Sequence, residues 1–385
     1  ELSIRVLHIR VVEIWYIRNN SLLCFAYLRL YLPIFWKKMN SNRSLSMVLL
    51  ANPGPSMIAF LESSLGSEAE SRATRGYLKN GSNLVVFSTL GSAAIPEVLT
   101  ITKNDAGACI FLLSDEKLRH RVRAYGLNRV VLRNYYKPGF LFYRQFVLPL
   151  FPLVENDTLM DFGSEVGRRY WWSFVGQKKS DREVMTEVFE APGKSKILLT
   201  DTFNDQQEGL GAKELSRVYR DSIFVLCPFG NLNPDTFRVT EALSHGAIPV
   251  VLRFRGIDYF QFIFGEHPFV VADSWSEARQ MCEQLIRDQD LLRMRQQAIV
   301  EWYQNFLTSL SRDLVKIIHG AKPRHLESDQ FRLQWRKRFS PRVVLIFWAH
   351  FLWGPWYQDF RRWGNRNQIR LRKIFVERKS GRPSV

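Results

Sequence analysis

Arg238 and Glu241 are the pair in this 385-residue sequence whose types and spacing suggest chemistry on an anionic ligand. Residues at i and i+3 share one face of a helix. A guanidinium can donate two parallel hydrogen bonds to a diphosphate, and a carboxylate accepts hydrogen bonds from ribose or sugar hydroxyls. By spacing alone, however, an exposed ion pair on a helix surface is the more common interpretation of such a pair.

The segment that carries this pair has the pattern of one strand–loop–helix–strand unit. Its parts are a strand at 222–228, a polar turn at 229–235 that contains Gly230, a helix at 236–245, Gly246 as the helix stop, and a strand at 247–252. In such a unit the loop lies at the carboxyl end of the first strand, and the free N–H groups of the following helix face it. The pattern therefore favours a phosphate site, which the backbone at Gly230 can approach closely.

Further apolar runs bounded by turn residues alternate with helical segments along the chain. One series starts at residue 83 and a second starts near residue 171. Strands that alternate with helices in this way are typical of parallel sheets with crossover helices. The sequence therefore predicts an α/β protein.

The residues of the 222–252 unit resemble a known family signature. Pro228-Phe-Gly230, Thr236-Phe-Arg238-Val-Thr-Glu241-Ala-Leu and Gly246-Ala-Ile-Pro249-Val-Val are similar to the signature of the exostosin glycosyltransferases, family 47. That family has a Ser-x-Arg-x-x-Glu-Ala-Leu helix followed by Gly-Cys-Ile-Pro-Val-Val. This chain has Thr236 for the serine, Ala247 for the cysteine and a somewhat longer loop, and it keeps Arg238 and Glu241 in register.

Two other stretches extend the resemblance to about residues 108–310. The first, residues 170–182, is similar to the strand, glycine and basic residues that open the donor domain of the family. The resemblance implies that Gly176 lies near the donor phosphates and that Lys178 and Arg182 help to neutralise them. A solvated run of charges remains an equal alternative for these basic side chains.

The second stretch consists of residues 112–116 and 131–136, which look like the end of the first domain in exostosin-like proteins. Asp115 and Glu116 follow a strand there and would face a cleft between domains, where an inverting enzyme needs a base for the acceptor hydroxyl. Ser114 could equally cap the next helix, with both carboxylates in its first turn. Asp115 is the candidate base, and the capping role is the more common one.

The resemblance implies a GT-B type fold, in which two Rossmann-like αβα domains face a cleft and the N-terminal domain is reduced. The predicted parts are an N-terminal extension or linker with a degraded membrane anchor as one alternative (1–80), an acceptor-side domain (81–165), a nucleotide-sugar-binding domain (166–320) and a basic, aromatic tail (321–385).

The implied activity is inverting transfer of a sugar from a nucleotide diphosphate-sugar, with a UDP-sugar preferred, to a glycan or glycoprotein acceptor. Arg238, Gly176, Gly230, Thr236 and the helix N-terminus would stabilise the leaving diphosphate, and Glu241 would orient the ribose or the sugar.

No metal and no cofactor are expected, since Asp288-Gln-Asp290 follows a helix rather than a strand. The family also implies a Golgi or secretory membrane location. A GDP-fucose-type transferase of the same fold is the nearest alternative.

The net charge of +17 lies at the two ends of the chain. Residues 321–385 hold 16 Lys and Arg against 4 Asp and Glu, whereas residues 51–320 are neutral overall. Because a basic, Trp-containing tail can bind nucleic acid or anionic lipid, a binding protein that acts through its tail is the alternative from another class. The neutral centre holds the phosphate-binding residues, so nucleic acid is not expected as a partner, and membrane association through the ends stays open.

Overall fold

The computed structural model describes residues 46–49, 55–65, 69–71, 83–88, 95–104, 107–116, 120, 125, 129–136, 144–152, 167–179, 181–201, 210–230, 232–322, 325–337 and 340–349. All of them belong to one compact unit, Ser44–Val385. Residues 21–36, the apolar segment for which a degraded membrane anchor was one alternative, lie outside the described residues. No helix in the described part of the chain is long and apolar enough to cross a bilayer.

The first sheet contains six parallel strands in the order β2-β1-β3-β4-β5-β6. They are β1 (Ser46–Leu49), β2 (Ala69–Ser71), β3 (Asn83–Ser88), β4 (Cys109–Leu113), β5 (Val131–Arg133) and β6 (Gln145–Val147). Two helices accompany these strands, α1 (Pro55–Leu65) and α2 (Ile95–Asn104). Strand β4 is buried along its whole length, as expected for a central strand covered on both faces.

This sheet starts earlier in the chain than the sequence pattern predicts. The predicted acceptor-side domain began at residue 81 and was reduced, whereas β1 and β2 lie in the segment assigned to an extension or linker. Strand β1 pairs with β3 and with β2, so it is an internal strand of the sheet. The Gly-, Ser- and Pro-containing composition of residues 52–56 indicated a linker or loop, and it concealed the short strand β1 before it.

The second sheet contains five parallel strands in the order β11-β10-β9-β7-β8. They are β7 (Tyr170–Gln177), β8 (Ser195–Thr200), β9 (Ser222–Leu226), β10 (Ile248–Leu252) and β11 (Val270–Ala272). The chain moves from β7 outward to β8, then returns to β9 on the other side of β7. The order therefore reverses between β7 and β9, which is where doubly wound sheets bind their ligands, at the carboxyl ends of the strands.

The remaining helices cover this sheet and return to the first one. They are α3 (Arg182–Phe189), α4 (Ala212–Arg220), α5 (Phe237–Ser244), α6 (Gln261–Phe264), α7 (Trp275–Arg287), α8 (Gln289–Ile318), α9 (Asp329–Lys337) and α10 (341–349). Asp288 lies between α7 and α8 and caps α8 through its carboxylate, which accepts from the amide of Leu291. The two separate parallel sheets with their helices confirm the predicted α/β fold of two Rossmann-like layers.

The last two helices lie in the segment predicted to be a tail, yet they are packed into the protein. Gln334 of α9 is buried, and Phe347 of α10 stacks edge-on against Tyr136 and lies close to Phe254. Tyr136 follows a strand of the first sheet, and Phe254 follows a strand of the second. These helices therefore connect the two sheets, because their apolar sides have partners on both.

Candidate functional site

Arg238 lies in the first turn of α5, directly over Gly176 at the carboxyl end of β7. Its Nη2 donates to the carbonyl oxygen of Val175 at 2.9 Å, and its guanidinium carbon lies 4.6 Å from the centre of the Phe174 ring. A Cβ atom on residue 176 would lie 2.6 Å from that Nη2, so glycine leaves the room that the guanidinium occupies. The structure thus brings together Gly176 and Arg238, two of the predicted donor-binding residues.

Arg182, the first residue of α3, joins them against the same ring. Its guanidinium carbon lies 5.5 Å from the centre of Phe174. Nη1 donates to the carbonyl oxygen of Gln177 at 2.7 Å, and Nη2 donates to that of Phe229 at 3.1 Å. Because Gln177 ends β7 and Phe229 follows β9, Arg182 ties the two strands together at the point where the strand order reverses.

The two guanidinium groups form a concentrated positive charge. Burial is the main cause that lowers the pKa of Arg182 to about 10; the charge of Arg238 acts in the same direction, and the charge of Asp181 opposes it. Across the described part of the chain, neither arginine forms an ion pair with a carboxylate. The Nε atom of each is buried without a hydrogen-bond partner. Arg182 is buried and Arg238 is partly buried, and two such neighbouring cations without an ion-pair partner favour binding of a dianion such as a diphosphate.

The loop from β9 to α5 supplies the other predicted donor contacts. Thr236 is the N-cap residue of α5, and its Oγ1 accepts from Nη1 of Arg238 at 3.4 Å. The Gly230 amide donates to the carbonyl oxygen of Asn233, and a Cβ on Gly230 would lie 2.6 Å from the carbonyl oxygen of Asp235. Gly230 therefore permits the tight loop that directs the first turn of α5 toward the arginines.

Glu241 and Lys178 occupy different surroundings. Glu241 is buried in α5 close to Tyr219, where burial raises the pKa of the phenol and the Glu241 charge adds to that effect. Lys178 pairs with Glu183 at 2.9 Å, and both side chains are more than half exposed. The structure therefore groups Arg182 with Arg238 and places Lys178 in a surface ion pair.

Asp115, the predicted base, is held in a buried ion pair. Its Oδ2 accepts from Nη2 of Arg133 at 2.5 Å, and both side chains are almost fully buried. Arg133 also donates to Oε1 of Gln145 at 3.0 Å, so a polar chain connects β4, β5 and β6. The backbone of Ser114 has a φ of +60°, which is uncommon outside glycine and turns the chain sharply after β4. These contacts favour a structural role for Asp115, and its role as base stays a prediction.

Glu116 connects the two sheets. Its Oε1 accepts from the backbone N–H of Leu232 at 2.6 Å, and its carbonyl oxygen accepts from Nδ2 of Asn233 at 2.6 Å. Leu232 and Asn233 belong to the loop between β9 and α5. The carboxylate that the sequence analysis assigned to catalysis therefore holds this loop against the first sheet.

Asp235 is a residue of the site that the sequence analysis did not single out. Its side chain is almost fully buried, and its Oδ2 has no hydrogen-bond partner in the described part of the chain. Burial raises the pKa of Asp235 to about 8; the amide of Thr236 counters this shift, and the charge of Glu116 adds to it. An aspartate before a helix normally indicates a cap, so the sequence pattern contains no signal for this burial.

One family model matches the part of the chain that contains the second sheet. Residues 149–321, less than half of the chain, match the family model described as the RXYLT1 C-terminal domain. The ribitol-5-phosphate xylosyltransferase 1 of Mus musculus is 26% identical over 203 residues, which are 48% of this chain and 43% of that protein. The Homo sapiens protein of the same name is 24% identical over 191 residues, 44% of this chain and 42% of that protein. The chain thus matches less than half the length of these curated relatives.

Two solved structures are similar in overall arrangement. A DNA-modifying β-glucosyltransferase covers 72% of this chain and 99% of its own, with a TM-score of 0.47 and 13% identity. The Anabaena protein HepE, solved with UDP and glucose, covers 72% of this chain and 100% of its own, with a TM-score of 0.46 and 9% identity. The matched segment of the family model, residues 149–321, contains Gly176, Arg182 and Arg238.

Proposed function

We propose that this chain is a glycosyltransferase that takes its sugar from a nucleotide diphosphate-sugar bound at the carboxyl ends of β7 and β9. The observation that carries the proposal is the pair of neighbouring arginines, the buried Arg182 and the partly buried Arg238, which form no ion pair in the described structure and whose Nε atoms have no hydrogen-bond partner. The family match over residues 149–321 and the two curated xylosyltransferases support the same class of reaction. The exostosin-like string at residues 228–251 supports a family 47-like member of that class.

The arginines would act on the leaving group. When the bond between the sugar and the diphosphate breaks, negative charge develops on the diphosphate oxygens. Arg238 and Arg182 are held in place by carbonyl oxygens before any ligand binds, so little reorganisation is needed. The N–H groups in the first turn of α5 add a further positive dipole. These donors would serve the leaving group without a metal ion, which makes metal independence part of the proposal.

The preferred donor in this proposal is a UDP-sugar, and the acceptor is a glycan or glycoprotein. The curated relatives carry the name ribitol-5-phosphate xylosyltransferase, which makes UDP-xylose the first donor to test. Glu241 would orient the ribose or the sugar through hydrogen bonds to hydroxyl groups. Inverting transfer and a Golgi or secretory membrane location belong to the same proposal, and the basic ends of the chain would support contact with an anionic membrane.

The test is to replace Arg238 by Ala and by Lys and to measure UDP affinity calorimetrically. We expect R238A to weaken UDP binding by on the order of 100-fold, because one charge-assisted pair of hydrogen bonds to the diphosphate is lost. R238K keeps the charge but cannot form the planar fork, so it should recover only part of the affinity. The matched control is R293A, because Arg293 is largely exposed and pairs with Asp290 near the start of α8.

A panel of UDP-sugars, scored by released UDP, identifies the donor. Unchanged UDP affinity in R238A would overturn the assignment of the phosphate site. Tight binding of GDP in place of UDP would favour the GDP-fucose-type alternative. The same arginines would then bind the diphosphate of a guanine nucleotide.

A further inference from the structure

We propose that Asp235 is the general base that removes the proton from the acceptor hydroxyl, at the contact between the loops of the two sheets. This inference rests on the proposed function, and it assigns the step for which the sequence analysis considered Asp115. Its carboxylate lies in the loop after β9, three residues before Arg238. A base in this position lies in the loop that leads into the helix of Arg238, and it is close to Glu116 and Tyr135 of the first sheet.

The surroundings of Asp235 come from four loops, each at the carboxyl end of a parallel strand. Glu116 follows β4 and Tyr135 follows β5 in the first sheet, while Asp235 follows β9 and Tyr259 follows β10 in the second. Asp235 is close enough to both tyrosines for its charge to contribute to their raised pKa values, for which burial is the main cause. Because ligands of doubly wound sheets bind at these strand ends, Asp235 lies where an acceptor and a donor would meet.

One oxygen of the Asp235 carboxylate has no hydrogen-bond partner in the described part of the chain. Oδ2 of Asp235 is buried and has no hydrogen-bond partner in the described part of the chain, and the same holds for Oδ1 of its neighbour Asn233. Buried polar atoms are almost always hydrogen-bonded, so two unpaired acceptors in one loop indicate that a donor is missing from the structure. An acceptor hydroxyl is a donor of the right kind. The phenol oxygen of Tyr136, on the facing loop, is also buried without a partner.

The other two carboxylates of this region already have strong partners. Asp115 accepts from Arg133 in a buried ion pair, so this oxygen is already occupied by a strong donor. Glu116 accepts from the amide of Leu232 and so holds the loop. By contrast, burial and the neighbouring charge of Glu116 raise the pKa of Asp235. Once ionised, a carboxylate with a pKa of about 8 is a stronger proton acceptor than one near 3.8.

The step balances in atoms and charge. The acceptor oxygen forms a bond to the anomeric carbon of the donor sugar, and its proton moves to Oδ2 of Asp235. The bond between the anomeric carbon and the diphosphate oxygen breaks, and its electron pair leaves with the diphosphate. The new negative charge on the diphosphate is stabilised by Arg238 and Arg182. The proton on Asp235 returns to solvent once the product has left.

The experiment compares D235N with D115N in the full chain. The amide of D235N has the size of the carboxylic acid but cannot take a proton, so we expect kcat to fall by on the order of 100-fold or more while UDP affinity stays unchanged. In the wild type, the rate should rise with pH toward a plateau above about 8, as Asp235 loses its proton. In D235N, the residual rate should lack that rise. D115N should instead lose stability, because Arg133 is left buried without its anion.

Stability provides a readout for Asp235 that is independent of catalysis. The folded protein holds the proton of this carboxyl more tightly than the unfolded chain does, since its pKa rises from 3.8 to about 8. The wild type should therefore lose stability as pH rises from about 4 to about 8, and D235N should lack this contribution. Full kcat in D235N with unchanged UDP affinity would overturn the inference. Loss of UDP affinity in D235N would also overturn it, by making the residue part of the donor site. Loss of UDP affinity in R238A tests the proposed function separately.

Discussion

At the scale of single residues, the candidate site depends on how closely side chains approach the backbone. Gly176 leaves space for the guanidinium of Arg238, which lies over the end of β7 and bonds to the carbonyl oxygen of Val175. The guanidinium groups of this arginine and of Arg182 both lie over the ring of Phe174. Because the two cations are held by carbonyl oxygens and an aromatic face, their charges stay available for a ligand.

A methyl group at residue 176 tests this arrangement. We expect Gly176→Ala to weaken UDP binding by on the order of 10-fold, because the new Cβ displaces the Nη2 atom of Arg238 from Val175. The matched control is Gly193→Ala. Gly193 has a φ of +75° and no atoms within 4 Å of the added Cβ, so its replacement costs roughly 1 kcal/mol of stability and leaves UDP binding intact. Equal UDP affinities in the two variants would show that the close approach of Arg238 has no function.

At the scale of elements, the second half of the chain secures the edge of the first sheet through one side chain. Gln334 of α9 accepts from the backbone N–H of Val147 at 3.2 Å and donates to its carbonyl oxygen at 3.1 Å. It also donates to the carbonyl oxygen of Phe262 in α6 at 2.6 Å. The side-chain amide therefore takes the place of a further strand beside β6 and joins it to α6. An edge strand that is paired in this way is protected from other chains.

Removal of the Gln334 side-chain amide should lower the stability of the protein. Gln334→Ala leaves the backbone groups of Val147 buried without partners, which we expect to lower the free energy of unfolding by about 1–3 kcal/mol. Urea denaturation measures the change. Gln297→Ala is the matched control, because Gln297 lies on the exposed face of α8 and bonds only to Glu301 among the contacts described. A loss no greater in Gln334→Ala than in the control would show that the bonds at β6 are replaced by water.

At the scale of the whole molecule, charge and fold divide the C-terminal region at different places. The basic composition begins near residue 321, but α9 and α10 still belong to the packed structure. Val343 and Phe347 are buried on one side of α10, whereas Leu345 and Trp348 are exposed on the other. A tail defined by charge therefore includes about thirty residues that the fold needs.

Two truncations separate these roles. A chain that ends at residue 349 keeps Gln334 and Phe347, so we expect its thermal unfolding temperature and UDP affinity to stay near those of the full chain. A chain that ends at residue 320 lacks both and should unfold at a clearly lower temperature, because contacts to both sheets are lost. Loss of all ligand binding in a folded chain that ends at 349 would contradict the proposed site and favour the alternative in which the basic tail binds nucleic acid or lipid.

Several features of this protein follow from the sequence by itself. Alternating apolar and helical segments predicted an α/β protein, because buried parallel strands and their crossover helices leave a strong local pattern. The unit at 222–252 was predicted to be a strand, loop, helix and strand, and the structure confirms this order. The roles of Gly230 and Arg238 in donor binding were implied by the family resemblance and stay predictions. Its similarity to glycosyltransferases is supported by the match over residues 149–321, while the exostosin family and the donor sugar stay predictions.

What the tertiary structure decided concerns partners that lie far apart in sequence. Arg182 and Arg238 meet at one phenylalanine ring because β7 and β9 are neighbours in the sheet, although more than fifty residues separate them. Asp115 and Asp235 are both aspartates at strand ends. Arg133 neutralises the first and burial raises the pKa of the second, so their roles differ. Charge, burial and pairing depend on the chain segments packed around a residue, and a local sequence pattern does not contain them.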